Sequence, residues 1–256
     1  MDHILNTNEI PAYEQFHISG SSSLFLTCDH ASLRIPERLE NLGLPLIDRS
    51  THIGWDIGAF DVARVLSDRL DAPLVASRYS RLVIDCNRPP QGKGSIPDTI
   101  HGLQIPGNNS LSNIQIAQRI EEIFNPYHKT IDDALATHIT IKRNVVLLSI
   151  HSYTPELDGK FRPWPIGITY ETPSPFSSYL IKELKKSKLH PIGENEPYPI
   201  TPEGDYGMYA HGKKNAIDAV LMEIRQDFLQ NPKSKLYIVE LLSDILEKFD
   251  KINSKR

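Results

Sequence analysis

Cysteine is scarce in this chain: 256 residues hold only Cys28 and Cys86, and neither belongs to a CxxC pair. A disulfide framework of the kind that staples small secreted domains is excluded, and the sparse usage fits a reducing cytosol. Long hydrophobic runs are missing too. No stretch of eighteen apolar residues occurs, so no segment is read as a membrane span. The opening MDHILNTNEIPAYEQF carries Asp2, Glu9 and Glu14 and lacks the basic start and apolar stretch of a signal peptide. Positive charge is not in excess either. Lys+Arg 28 stand against Asp+Glu 32, a formal net charge of −4, which argues against a nucleic acid or an anionic membrane as the partner. Gly 14 and Pro 19 are ordinary counts, and no internal repeat occurs, so collagen-like, coiled-coil and disordered chains are ruled out.

What is present suits one globular domain over 1–256, long enough to bury a substantial core, with 1–22 as an irregular amino-terminal arm. Ser23–Cys28 is a short apolar run that stops at Asp29-His30 and reads as a buried strand. Apolar residues recur at helical spacing between Asp56 and Leu70. Pro73–Ser77 and Leu82–Asp85 read as strands, and 89–110 as a long loop. Helices are expected at 112–124 and 127–142, interrupted by Asn125-Pro126 because proline has no backbone donor. Asn144–Ile150 is the strongest buried strand and ends on His151. A short strand at Ile166–Tyr170, a helix at 176–188, a strand at Ala216–Ile224 and a closing helix at 234–250 complete the chain. Alternating strands and helices predict an α/β fold in three layers, with a mostly parallel or mixed central sheet and helices on both faces.

In open α/β sheets, ligands bind beyond the carboxyl ends of the strands. Three predicted strands end in chemically active residues: Asp29-His30, His151-Ser152 and Glu223. Two strand-end imidazoles with a carboxylate would make a three-ligand metal site with an open fourth position. The carboxylate is either Asp56 or Asp29; Asp56 serves equally well as a helix cap. Glu223 is either a general base or the ion-pair partner of Arg225 on the same strand face. Arg81, Asp85, Asn87 and Arg88 form either an anion-binding cluster or a structural Arg–Asp network. Cys28 closes an apolar strand and reads as core rather than nucleophile.

Seven blocks carry a family resemblance: TCDHAS (Thr27–Ser32) with Pro36, HIGWDIGA (His52–Ala59), YSRLVIDCNRP (Tyr79–Pro89), SIHSYTP (Ser149–Pro155), RPWPIG (Arg162–Gly167), NEPY (Asn195–Tyr198) and EIRQD (Glu223–Asp227). Together they resemble the N-formylglutamate amidohydrolase family, in order, from about 24 to 230. The resemblance implies a phosphorylase/hydrolase-like fold distantly similar to zinc carboxypeptidases and acylamino-acid deacylases. In those carboxypeptidases a first metal histidine, an Asn-Arg pair, a second metal histidine followed by Ser, and a late-strand Glu occur in that order. Here the counterparts are His30, Asn87-Arg88, His151-Ser152 and Glu223. One departure matters: the position three residues after the first histidine is Leu33 instead of Glu. The third ligand must come from elsewhere, with Asp56 first choice, His52 second and Asp29 third.

What the resemblance implies for function is hydrolysis of N-formyl-L-glutamate to formate and L-glutamate at the end of cytoplasmic histidine breakdown. The implied cofactor is a divalent metal, zinc, on His30, Asp56 and His151. Glu223 is the implied base, with Arg81 or Arg88 facing the oxyanion. Asn87, Arg88, Asp85, Ser152, Arg162 and Arg225 are the implied substrate-binding set. The partner is then a small molecule carrying carboxylates, with 89–110 and 154–166 as candidate lids. Alternatives are a deacylase for another N-acyl acidic amino acid, a metal-free amidase using Cys28, or a protein that binds an acidic metabolite without turnover. Oligomeric state is not legible.

Overall fold

The computed structural model describes residues 3–142 and 144–255, so the arm expected over 1–22 begins outside the described residues. Seven strands form one sheet: β1 (Tyr13–Phe16), β2 (Leu24–Cys28), β3 (Leu74–Ser77), β4 (Val146–Tyr153), β5 (Ile166–Thr169), β6 (Ile192–Glu194) and β7 (Asp218–Arg225). Their order across the sheet is β1-β3-β2-β4-β7-β5-β6. The four central strands β3, β2, β4 and β7 are mutually parallel. β1 runs antiparallel to β3, and β5 antiparallel to β7, which makes the sheet mixed. Two further short hairpins, Thr99–Ile100 with Leu103–Gln104 and Glu156–Leu157 with Lys160–Phe161, project from the loops.

Alternation along the strands sorts side chains into two cores, because successive residues point to opposite faces. Leu24, Leu26, Cys28, Leu148, Ile150, Val220 and Met222 form one, packed under helices α1 (Ala59–Leu70), α4 (Pro175–Leu184) and α5 (Pro232–Asn253). Phe25, Val75, Leu147 and Leu221 form the other. They meet Ile123, Phe124, Tyr127, Ile131 and Leu135 of a long helical rod. That rod comprises α2 (Asn113–Arg119), a wider π-type turn at Ile120–Phe124, and α3 (Asn125–Ile141). Helices on both faces of a mixed sheet give the three-layer α/β fold. Ser149, His151 and Glu223 continue the second series, so the polar strand ends open toward the rod's layer.

Four local expectations are corrected. The arm contains β1, whose Tyr13–Phe16 pairs with Leu74–Ser77 and closes one sheet edge. Leu82–Asp85 is not a strand; Val83 N–H donates to Ser80 O in a turn and Asp85 N–H to Ser95 O across the following loop, so these backbone groups are satisfied outside any sheet. The run is apolar because Leu82, Val83 and Ile84 are buried in the second core. Asn125-Pro126 does not break the rod. The preceding π-type turn lets Asn125 N–H reach Ile120 O, and the proline sits in the first turn of α3, where its missing donor is not needed. Finally, β4 does not stop at His151 but runs on to Tyr153.

Candidate active site

The parallel register of β4 and β7 sets Glu223 directly opposite His151. His30 lies two residues beyond the end of β2, where its carbonyl accepts the Asp56 N–H at 3.0 Å and ties the two loops together. Asp56 does not cap α1: the cap position is Gly58, with no side-chain cap bond. The chain turns there at φ +80, and a Cβ on Gly58 would come 2.7 Å from Leu229 Cβ. Relieved of capping, the Asp56 carboxylate points between the histidines. Its Oδ2 lies 2.8 Å from His151 Nδ1 and 3.3 Å from His30 Nδ1, and Ser152 N–H donates to it at 3.3 Å. One ligand atom each from His30, Asp56 and His151 falls within 4.8 Å of the others, and all three residues are buried.

Both rings are held from behind. His30 Nε2 sits 2.8 Å from Asp85 Oδ1, and His151 Nε2 sits 3.1 Å from Asp29 Oδ2 and 3.0 Å from Ser149 Oγ. Asp29 is fixed in turn by the Tyr127 hydroxyl, which donates at 2.6 Å. Carboxylates on the outer nitrogens fix the tautomer and orientation that metal-ligating histidines need. With Nε2–H donated outward, each neutral ring presents an Nδ1 lone pair to the Asp56 carboxylate. Two such acceptors at 2.8 Å repel unless a proton or a cation lies between them. Burial and Arg81 oppose a proton on His30, but Asp85 and Asp56 outweigh them and raise its pKa. Burial likewise opposes a charge on His151, yet its bonds to Asp29 and Asp56 raise its pKa well above the ordinary value. Two imidazoles and one carboxylate also suit a zinc ion, whose tetrahedral ligands at roughly 2.0–2.1 Å sit on the order of 3.3 Å apart. The residues fit a divalent metal.

Glu223 is the unsatisfied member. It is 8% exposed, and its buried Oε2 has no hydrogen-bond partner among the described residues. Burial, partly offset by His151, pushes its pKa up to about 7. Arg225 does not pair with it; that guanidinium binds Asp227 at 2.8 Å and the Arg162 carbonyl at 2.9 Å, between the rings of Phe161 and Phe228.

The remaining candidates divide by what they touch. Asp85 faces inward rather than along a polar strand face: its carboxylate takes His30, Arg81 at 2.7 Å and the Asn87 N–H at 2.9 Å. Arg81 also lies 3.6 Å from Asp56 Oδ1. Ser152 donates its hydroxyl to Ile57 O, locking β4 to the Asp56 loop. Arg88 is the most exposed of the four candidate arginines, 3.9 Å from Asp85. Arg162 reaches Thr154 O through Nε at 2.8 Å, its Nη1 donates to the Tyr198 hydroxyl, and it lies over the Tyr153 ring. Cys28 is buried in the opposite core, and burial with Asp56 and Asp29 nearby drives its thiol pKa well up, which disfavours the thiolate. His52, second choice for the third ligand, is not in the metal group.

Two residues were not foreseen. Asp205 approaches Asn87 Nδ2 at 3.4 Å, and Tyr206 N–H donates to the Asn87 carbonyl. The Pro-Glu-Gly run at 202–204 is a turn signal, but such a signal says nothing of where the loop goes. Tyr127 lies in a helical run and carries no local signal at all.

The family model for N-formylglutamate amidohydrolase matches residues 22–229. The chain belongs to the N-formylglutamate amidohydrolase family. N-formylglutamate deformylase of Pseudomonas aeruginosa is 30% identical over 158 residues, 48% of this chain and 59% of that protein. Its namesake in Pseudomonas putida is 32% identical over 169 residues, 59% of this chain and 61% of that protein. The chain thus spans about three fifths of the length of these curated relatives. Gene product Atu2144 from Agrobacterium tumefaciens superposes with a TM-score of 0.91 at 31% identity, covering 96% of this chain and 97% of that one. N-formylglutamate amidohydrolase from Ralstonia eutropha JMP134 superposes at 0.70 with 15% identity, covering 96% and 99%, and shares the fold. Among the described residues no helix is long and apolar enough to cross a membrane.

Proposed function

We propose that this chain hydrolyses the formyl amide of N-formyl-L-glutamate to formate and L-glutamate, with a divalent metal, zinc, held by His30, Asp56 and His151. The observation that carries this reading is the buried, unpartnered Glu223 Oε2 set across from one of those histidines. A carboxyl group with a pKa near 7 is matched to moving a proton at neutral pH. When bound, the metal supplies Lewis-acid polarisation of the substrate carbonyl and lowers the pKa of water toward about 7.

The chain's own groups do the rest. Glu223 Oε2 takes a proton from water as the water oxygen bonds the formyl carbon. Arg81, aligned by Asp85 and Asp56, faces the negative charge that develops on the formyl oxygen. The C–N bond then breaks, Glu223 returns its proton to the departing amine, and formate leaves. Arg88, beside Asn87, takes the α-carboxylate, since its guanidinium is the least enclosed of the four candidate arginines and its carboxylate neighbour is 3.9 Å away. Asp85 and Asp29 are positioning residues for the two histidines, and Ser152 holds the Asp56 loop.

We place this activity in the cytoplasm at the end of histidine breakdown, as the family resemblance implies. Formate release from a panel of N-formyl, N-acetyl and N-succinyl amino acids tests the substrate. Turnover should be highest on N-formyl-L-glutamate; release of acetate or succinate with no formate would move the reading to another N-acyl acid.

A further inference from the structure

The HIGWDIGA block supplies Asp56 to the metal group, but its first residue, His52, has no role in the chemistry above. Its Nε2 is buried and makes no hydrogen bond among the described residues. A buried polar atom left unpaired is destabilising, so this one, like Glu223 Oε2, points to a missing partner. The turn that carries it is built to stay put. Gly54 N–H donates to Thr51 O at 3.0 Å, the Ser80 hydroxyl donates to Gly54 O at 2.6 Å, and a Cβ on Gly54 would lie 2.0 Å from the Arg49 carbonyl oxygen. On its outer side the ring packs 5.9 Å from His101 of the Thr99–Gln104 hairpin, which reaches to within 3.8 Å of Asp158 on the other hairpin.

The partner's charge follows from the cations nearby. Arg81 pairs with Asp85 and Asp56, Arg88 with Asp85, and Arg225 with Asp227. Arg162 differs. It is 8% exposed, it bonds only the Thr154 carbonyl and the Tyr198 hydroxyl, and among the described residues no carboxylate lies within 4 Å of it. A guanidinium cannot discharge itself, and this one, met at the end of the sheet by one carbonyl and one hydroxyl, is left able to pair with an anion from outside the chain. The Glu156–Phe161 hairpin, whose Asp158 meets His101, leads directly into Arg162, which brings that segment to the side on which His52 lies; burial first, then His101, Arg162 and Arg81, lower the His52 pKa. The imidazole is therefore neutral at physiological pH and acts as a hydrogen-bond donor rather than a second charge.

We infer that His52 and Arg162 together form the subsite for the distal, side-chain carboxylate of the substrate, with His52 Nε2–H as the specificity-determining donor. The reading rests on the proposed deformylase activity. It divides the two carboxylates of the substrate between Arg88 at the α position and His52–Arg162 at the far end. The metal group and Glu223 remain at the formyl end.

The test compares N-formyl-L-glutamate with N-formyl-L-norvaline, which lacks only the distal carboxylate's charge and donors' target. His52→Gln places an amide N–H near the Nε2 position, whereas His52→Asn places it near Nδ1; both are checked for unchanged melting. His52→Asn should raise KM for N-formyl-L-glutamate by about tenfold or more, with kcat within about twofold. It should leave N-formyl-L-norvaline nearly unchanged, and His52→Gln should recover most of the loss. Equal losses on both substrates, or none on either, would overturn the subsite. If the wild-type chain hydrolyses neither substrate with any metal, the deformylase reading fails by itself. The subsite is then decided by calorimetry with glutarate: weaker binding to His52→Asn than to wild type and His52→Gln upholds it, and equal binding to all three overturns it.

Discussion

Glu223 and His151 stand directly opposite each other on the parallel strands β7 and β4, yet the glutamate's inner oxygen is left without a hydrogen bond. A strand pair therefore holds a buried carboxyl group at a fixed place beside the candidate metal group. Replacing Glu223 by Gln keeps the shape and removes the acceptor. Turnover should fall by about 10²–10⁴-fold while metal content per chain stays unchanged. Turnover near that of the unmodified chain would remove Glu223 as the base.

Asp85 and Asp29 buttress the outer nitrogens of His30 and His151. Asp85→Asn and Asp29→Asn should each weaken metal binding by about 10–100-fold, read from competition with a chromophoric chelator. Unchanged affinity in both would mean that the rings hold their orientation without these carboxylates.

His128 offers a test of stability against pH away from the metal group. Burial, with His211 at 2.8 Å, lowers its pKa to about 4. Its Nε2 donates to the Cys86 carbonyl. A histidine whose folded pKa is depressed contributes stability that is present above its unfolded value of about 6.5 and is lost as pH falls toward 4, because the unfolded chain binds the proton first. The loss amounts to about 3 kcal/mol. Urea unfolding of the chain and of His128→Gln at pH 7.5, 6 and 4.5 should show the difference between them shrink or reverse as pH falls. A constant difference would contradict the shift.

Gly58 turns the chain from Asp56 into α1 at a positive φ, with Leu229 closing the space. Gly58→Ala should destabilise the fold by about 1–3 kcal/mol from backbone strain, with added loss from the contact. A melting temperature equal to that of the unmodified chain would show that this turn relaxes freely.

Strand ends were the legible part of this site. Apolar runs placed His30, His151 and Glu223 at the end of buried strands, because burial on both sheet faces writes a continuous hydrophobic stretch. Asp56 was ambiguous because a helix start and a ligand loop use the same residue type, and only the Gly58 turn separates them. Leu82–Asp85 misled for a related reason: a buried turn and a buried strand share an apolar run. β1 was missed because an edge strand of four residues with partly exposed side chains has too weak an alternation to be seen. The roles of Asp29, Tyr127 and Asp205 depend on contacts across 98 or more residues, which no local pattern encodes.

The central claim, a metal-dependent deformylase built on His30, Asp56 and His151, is tested most directly by formate release from N-formyl-L-glutamate. The assay is run on the purified chain before chelation, after it, and after one equivalent of zinc, cobalt or manganese is returned. Activity should disappear with the metal and return with it, and His151→Ala should show neither. Full activity in a chain shown by metal analysis to be stripped would contradict the account.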